Sequence, residues 1–324
     1  MSIPQPRIRI AHLPTAIEPL TRLSTALGGP AIWIKRDDQT GLAFGGNKTR
    51  KLEFVLAEAQ AVGAKTLVTV GGIQSNHCRQ TAALAAKYGL GCILVLNGTQ
   101  PDVPNGNLLL NDLFGAEIVW TSRSDRDRRL QEVFDQAWAD GKRPYKIPLG
   151  ASTPLGALGY EVAMAELKNQ DFAPDWIVVA SSSAGTQAGM VLGNIRHAVN
   201  ARILGISIDS PKRNLQTTVA HLATEAADLL GEIISISPDD ILVNDDYLGA
   251  GYAIMGEPES DAIRLFGKFE GVVLDPVYTG RAAAGMIDLI KKGFFKKSDK
   301  VLFWHTGGGP SLFAEPYTVQ FSKK

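Results

Sequence analysis

Short apolar runs rich in β-branched residues alternate along this chain with segments of helical period, and that alternation leaves few folds open. The runs at 66–70, 92–96, 176–180, 203–208 and 301–304 are bounded by Gly, Ser or Asp and carry almost no polar residue. A strand that is apolar on both faces is covered on both faces, which is the habit of parallel sheets flanked by helices. Between the runs lie patterns such as Leu52, Val55, Leu56, Ala59 and Val62, whose three- and four-residue spacing makes one apolar stripe. The chain is therefore expected to be α/β.

Composition narrows the function. The 324 residues suggest about two domains, and 33 Lys+Arg against 33 Asp+Glu leave no net field to attract nucleic acid or an anionic membrane. A small-molecule partner is the expectation. Cys78 and Cys92 are the only cysteines, in no disulfide or metal pattern, which suits a reduced cytoplasm; no metal is expected. The first twenty residues are broken by Pro4, Pro6, Pro14 and Pro19 and contain no signal-like apolar segment. No run is long enough to span a bilayer, so a soluble, unprocessed chain is expected. The stretch 97–107 reads as a polar surface loop, and the charge cluster at 124–129 as a solvated helix face without function.

Three turns follow strands and open helices: Gly71 to His77, Ser181 to Thr186, and Thr306 to Pro310. Ligands of α/β sheets gather at the carboxyl ends of strands, so chemistry is sought there. Lys48 follows a flexible Gly45-Gly46 pair and opens a helix, with Asn47 as expected N-cap. An ammonium at the positive end of a helix loses its proton more readily, as imine formation with an aldehyde requires. From this turn alone, the favoured reading is a solvated lysine in a helix's first turn. The small residues of Ser181 to Thr186, before a helix starting near Gln187, expose N–H groups suited to a phosphate dianion. They match neither the P-loop nor the Gly-x-Gly-x-x-Gly fingerprint, which weighs against a nucleotide or a dinucleotide-dependent oxidoreductase. Ser75 caps the next helix and, with the free N–H groups beside it, can receive a carboxylate. His77 by itself reads as a structural or surface histidine, and Cys78 as a small packed residue. Tyr252 and Tyr278 sit in Gly/Pro-bounded loops where a phenol can act as acid, base or lid. Thr306 presents a hydroxyl at a strand end.

Six segments in order, Lys35-Arg36-Asp37-Asp38, Gly45 to Glu53, Gln74 to Gln80, Ser183-Ala184-Gly185-Thr186, Asp275 to Gly280 and His305-Thr306-Gly307-Gly308, resemble the fold-type II pyridoxal 5′-phosphate (PLP) enzymes. These are the tryptophan-synthase-β-like group. Within it the chain is similar to the branch of D-cysteine desulfhydrase and 1-aminocyclopropane-1-carboxylate deaminase. The resemblance implies two open, twisted, mostly parallel sheets with flanking helices. It implies a large PLP domain from 1–51 and 161–324, a small domain from 52–160, and a homodimer. Lys48 becomes the Schiff-base lysine, Ser183, Ala184, Gly185 and Thr186 hold the phosphate, and Asn47 and Ser182 are further cofactor-binding residues. Asn76 meets the cofactor's phenolic oxygen, Thr306 its ring nitrogen. Ser75, Asn76 and His77 receive the substrate carboxylate, while Tyr252 and Tyr278 lie over the substrate. Lys48, Ser75 and the two tyrosines are the implied catalytic set.

The implied reaction is β-elimination from a small amino acid. The leading substrate is D-cysteine, giving pyruvate, ammonia and sulfide; L-cysteate, giving sulfite, is the alternative. The deaminase carries a glutamate after its second tyrosine, meeting the ring nitrogen; Thr279 stands here, which disfavours cyclopropane opening. Two departures from the desulfhydrase pattern stand out. Gly251-Tyr252-Ala253-Ile254-Met255-Gly256 replaces Gly-Tyr-Gly-Val-Pro-Asn, and Ser182 replaces a glycine. A chain that bound PLP without turnover would need no acid/base tyrosines.

Overall fold

The computed structural model describes residues 3–322. In chain order the strands are β1 (Ile17–Pro19), β2 (Ala31–Lys35), β3 (Thr66–Gly72), β4 (Gly91–Asn97), β5 (Glu117–Thr121), β6 (Pro144–Ile147), β7 (Trp176–Ser181), β8 (Arg202–Ser207), β9 (Leu242–Asn244) and β10 (Lys300–Trp304). The helices are α1 (Thr21–Leu27), α2 (Asn47–Ala61), α3 (Asn76–Tyr88), α4 (Gly106–Leu113), α5 (Arg126–Ala139), α6 (Pro154–Asn169), α7 (Gly185–Arg196), α8 (Lys212–Leu229), α9 (Glu257–Glu270), α10 (Thr279–Lys291) and α11 (Tyr317–Ser322). Two sheets result. One runs β1-β2-β10-β7-β8-β9 and is parallel except for the pair β1–β2; the other runs β5-β4-β3-β6 and is parallel throughout. This is the α/β architecture expected, and each apolar run lies in a strand, except that Ile208 falls one residue past β8.

Both faces of each sheet are covered, which is why the strands lack polar alternation. In the larger sheet Val178, Ile206 and Phe303 face Leu23, Phe266 and Met286 of α1, α9 and α10. Their neighbours Ile177, Val179 and Leu302 face Tyr160, Met164 and Met190 of α6 and α7. In the smaller sheet Leu67 and Leu94 pack on α2 and α3, while Val68, Val70 and Ile93 pack on Leu130 and Val133 of α5.

Helix α2 departs from the one-sided stripe. Leu52, Val55, Leu56 and Ala59 do face the small sheet, but Thr49 to Ala57 are all buried, and Val62 is exposed just past the helix end. The cause is α6, which crosses the opposite face of α2 so closely that a Cβ on Gly159 would lie 2.5 Å from the Arg50 carbonyl oxygen. That second face buries charge. Arg50 Nη2 lies 2.8 Å from Asp37 Oδ1 and its Nη1 2.9 Å from Glu166. Asp37 also accepts from Tyr160 Oη at 2.6 Å and Trp304 Nε1 at 2.8 Å. Despite burial, Arg50 and these donors hold the Asp37 carboxyl down to about 2. The helix that begins beside Lys48 is thus pinned by Asp37, just past β2, and by Glu166 of α6, with Tyr160 of α6 and Trp304 of β10 holding Asp37 in turn.

Candidate active site

One cavity, open to solvent, lies where the carboxyl ends of strands from both sheets converge. Its walls come from the segments after β3, β4, β5, β6, β7, β8 and β10, together with the start of α2. That is the place ligands occupy in parallel α/β sheets. Lys48, Asn47, Ser75, Asn76, His77, Ser182, Ser183, Ala184, Thr186, Tyr252, Tyr278 and Thr306 all line it.

The Gly45-Gly46 pair is locked rather than flexible. Gly45 and Gly46 take φ 65° and 126°, and the Gly46 N–H donates to the Asp37 carbonyl and to Thr40 Oγ1 at 2.9 and 2.8 Å. A side chain at Gly45 would strike the Asp38 backbone. Gly46, not Asn47, is the N-cap; the Asn47 amide instead donates to Thr186 Oγ1 at 2.9 Å, joining α2 to the turn before α7. Lys48 has no hydrogen-bond partner among the described residues, and its pKa is lowered to about 8. Burial is the cause, where the helix end was the expectation.

Helix α7 starts at Gly185, two residues earlier than the sequence suggested, with Ala184 at φ 67° as its N-cap. No acceptor among the described residues takes the N–H groups of Ser183 and Ala184. Ser182 does not have a positive φ, so serine in place of glycine is unstrained; the left-handed residue is Ala184. Below the turn lies a lysine that sequence reading passed over. Lys51 Nζ donates to the Gly150 carbonyl and to Ser152 Oγ, both at 2.9 Å, and Ser152 Oγ lies 2.8 Å from Ser183 Oγ. Burial, then the Lys48 charge, lowers its pKa well below the usual value.

On the opposite wall Ser75 Oγ accepts from the Cys78 N–H at 3.2 Å, capping α3 as expected. Cys78 is a buried free thiol pushed up to about 12 by burial. Asn107, read as part of a surface loop, is fully buried: its amide donates to Asn76 Oδ1 and to the Gln74 carbonyl at 2.8 Å each, holding Asn76 by its oxygen. His77 is neutral. The Thr69 hydroxyl gives its proton to the Ile147 carbonyl, so it accepts from His77 Nε2 at 2.8 Å and leaves Nδ1 unprotonated and unpartnered. Burial holds its pKa well below the usual range.

The third wall carries the tyrosines. Tyr252 Oη lies 2.7 Å from Tyr278 Oη, and burial raises Tyr252 to about 12 and Tyr278 well above the usual phenol value. Both are proton-bearing phenols at neutral pH. The segment that departs from the desulfhydrase pattern is clamped by buried Arg281, which donates to the carbonyls of Gly251 and Ile254 at 3.1 and 2.9 Å. Ala253 keeps a positive φ of 62°, and its carbonyl accepts from Tyr317 Oη at 2.7 Å. Thr279 faces away from the cavity, its hydroxyl donating to Asp275 Oδ1 at 2.7 Å. The Thr306 carbonyl accepts from the Asn47 N–H at 3.0 Å, while its hydroxyl has no partner among the described residues. The charge cluster after β5 is not wholly solvent-facing: Arg123 and Arg126 line the cavity.

A model of the pyridoxal-phosphate dependent enzymes matches residues 8–307. The chain belongs to that family. Proteins named D-cysteine desulfhydrase from Yersinia enterocolitica serotype O:8 and Salmonella choleraesuis are each 43% identical to it, over 320 and 318 residues, 95% of this chain and 96% of theirs. The crystal structure of an ACC deaminase homologue superposes with a TM-score of 0.88 at 37% identity, covering 95% of this chain and 94% of that one. This PLP enzyme is of fold type II. Its cavity fits the cofactor on its own evidence: an unpaired amine, a turn with free N–H groups, an amide held by its oxygen, and an unpartnered hydroxyl stand around one space. Among the described residues no cluster of His, Cys, Asp and Glu could hold a metal ion, and no helix is long and apolar enough to cross a membrane.

Proposed function

We propose that this PLP enzyme is a β-elimination lyase acting on D-cysteine, which with one water gives pyruvate, ammonia and hydrogen sulfide. The observation that carries the reading is the Lys48 amine and the Tyr252–Tyr278 hydroxyl pair in one cavity. The names of the relatives support the choice of substrate. PLP, when bound, supplies an electron sink for the negative charge left on the α-carbon.

The protein's own groups do the rest. Lys48 is the attachment point; Ser182 to Thr186 and Asn47 hold the phosphate, Asn76 the phenolic oxygen, and the neutral Thr306 hydroxyl the ring nitrogen. Ser75 and the N–H groups of Asn76 and His77 take the substrate carboxylate at the start of α3. We take Lys48, which burial makes easier to deprotonate, as the base for the α-proton. Tyr252 and Tyr278 keep their protons at neutral pH and donate to the departing sulfur. Thr279, bonded inward to Asp275, offers the ring nitrogen nothing, in keeping with β-elimination over ring opening.

We assign 1–51 and 161–324 to the larger unit and 52–160 to the smaller. We infer a cytoplasmic homodimer: exposed Leu109 and Leu113 on α4 and Phe313 nearby favour a second copy, and two free cysteines suit a reducing compartment.

The test offers D-cysteine, L-cysteine, L-cysteate, β-chloro-D-alanine and 1-aminocyclopropane-1-carboxylate, measuring pyruvate, 2-oxobutyrate, sulfide and sulfite separately. Pyruvate with sulfide, most efficiently from D-cysteine, is expected. Best activity on the cyclopropane substrate, giving 2-oxobutyrate, overturns the reading. Borohydride reduction followed by peptide mass mapping should find the cofactor on Lys48.

A further inference from the structure

Arg79 is fully buried in α3 and pairs with no carboxylate among the described residues. Burial lowers its pKa to about 10, which leaves it charged at neutral pH. Asp275 is the carboxylate whose charge acts on it, but Asp275 is taken up by the N–H groups of Val277, Tyr278 and Thr279 and by the Thr279 hydroxyl. A buried cation without a contact partner is costly, so its place in the fold calls for a reason.

Its hydrogen bonds supply one. Arg79 Nη2 donates to the Gly45 carbonyl at 2.6 Å, in the loop that leads to Lys48, and Nη1 donates to Asn107 Oδ1 at 3.1 Å. A guanidinium only donates, so Asn107 turns its oxygen to Arg79 and its nitrogen to Asn76. The Asn107 amide then donates to Asn76 Oδ1 at 2.8 Å. Asn76, its oxygen engaged, lines the cavity with its amide N–H groups free of any acceptor among the described residues. Gln74 steadies the middle of this relay, accepting at its side chain from the Asn107 backbone N–H at 2.7 Å and at its carbonyl from the Asn107 amide at 2.8 Å. The bonds from guanidinium to Asn76 all run one way, and each polarises the next.

We propose that Arg79 and Asn107 are positioning residues that, through Asn76, hold the cofactor's phenolic oxygen in its anionic form. This rests on the placement of that oxygen at Asn76 in the reading above. Arg79 supplies the positive charge, Asn107 fixes which end of the Asn76 amide faces the cavity, and Asn76 makes the contact. The neighbouring titratable groups carry no charge that would substitute for it: His77 is neutral, the Cys78 thiol keeps its proton, and so do Tyr252 and Tyr278 across the cavity.

The experiment uses the full chain with pyridoxine 5′-phosphate, which has an alcohol where PLP has its aldehyde and so cannot join Lys48. Its phenol and phenolate absorb at different ultraviolet wavelengths, so a pH titration of the bound ligand reads the midpoint directly. Lys48 and Asp209 also face this cavity, and both are present in every variant, so differences between variants are not theirs. Arg79→Met should raise the midpoint by about one pH unit or more, the scale of a charge acting through hydrogen bonds. Arg79→Lys keeps the charge and should return the midpoint at least halfway to the parent's. Asn107→Asp keeps the shape and leaves Arg79 an acceptor but cannot donate to Asn76; it should raise the midpoint as Arg79→Met does, and it decides the matter if the methionine variant does not fold. An unmoved midpoint in folded Arg79→Met or in Asn107→Asp overturns the proposal, and so does a lysine variant indistinguishable from methionine. Asn76→Ala separates the two failures. If the phenolic oxygen lies elsewhere, that variant titrates as the parent does; if only the relay fails, it shifts while the Arg79 and Asn107 variants do not.

Discussion

Replacing Gly159 by alanine should destabilise the protein although it improves helix propensity. The added Cβ would lie 2.5 Å from the Arg50 carbonyl oxygen, 2.6 Å from its carbon and 2.8 Å from the Lys51 nitrogen. All three are backbone atoms of α2, so no side-chain rotation relieves the contact. Ordinary packing distances are about 3.5–4 Å, and α2 and α6 must therefore part by about 1 Å. Overpacking of this kind costs about 1–3 kcal/mol, and the high end applies where backbone is struck. Alanine returns about 1 kcal/mol of helix propensity, leaving a net loss of about 1–2 kcal/mol. Gly267 in α9 is the control: it is exposed, a Cβ there meets nothing within 4 Å, and Gly267→Ala should stabilise by about 0.5–1 kcal/mol. The assay is the urea midpoint of the cofactor-free protein, compared at equal slope. One substitution at two helical glycines should shift it in opposite directions. A Gly159→Ala midpoint at or above that of the parent refutes the close α2–α6 crossing. The same displacement moves Lys48, so cofactor dissociation should quicken in Gly159→Ala alone.

Asp37→Asn leaves Arg50 buried with half its compensation, which should cost about 3–5 kcal/mol in the unfolding midpoint; an unchanged midpoint would show that Glu166 alone suffices. Lys48 loses its proton at about pH 8 in the folded cofactor-free protein against 10.5 for an ordinary lysine. In that window the unfolded chain binds the extra proton, so this group's contribution to stability rises with pH. Lys48→Met should therefore be more stable than the parent below pH 8, with the gap narrowing toward pH 10.5; a constant gap counts against the lowered pKa. Tyr278→Phe should lower kcat by about 10²–10⁴-fold while the cofactor's visible spectrum stays as in the parent, and wild-type turnover would remove the tyrosine from the mechanism. Ala253→Gly relieves a left-handed alanine at φ 62° and should raise the midpoint by about 1 kcal/mol; a fall would mean that the Ala253 methyl packs usefully.

Local chemistry was legible where it depends on neighbours in sequence. The strand-end turns were found because Gly and Ser interrupt β-branched runs, and Ser75 was read as a cap because the helix it caps follows at once. The readings that changed involve partners far along the chain. Asn47 looked like a cap until Thr186, which it bonds, was beside it. Asn107 sits in a polar stretch, and its burial depends on Gln74 and Asn76 across the cleft. Arg123 borders a run of charges that faces water in part, and only the fold brings it over Tyr252. One sign was available: Lys51 is a charge inside the helical face that Gly159 and α6 cover.

The sequence by itself determined the α/β alternation, the three ligand-facing turns and a lysine at the head of a helix, because periodicity and turn chemistry are local properties. The tertiary structure decided that this helix is buried on both sides, that Asp37, Glu166, Tyr160 and Trp304 hold it, and that the Lys48 pKa falls through burial. It also decided that Arg123 lies over the Tyr252 ring. A periodic pattern states which face of an element is apolar; what covers that face, and how dry the charge beneath it becomes, follows only when distant strands and helices are in place.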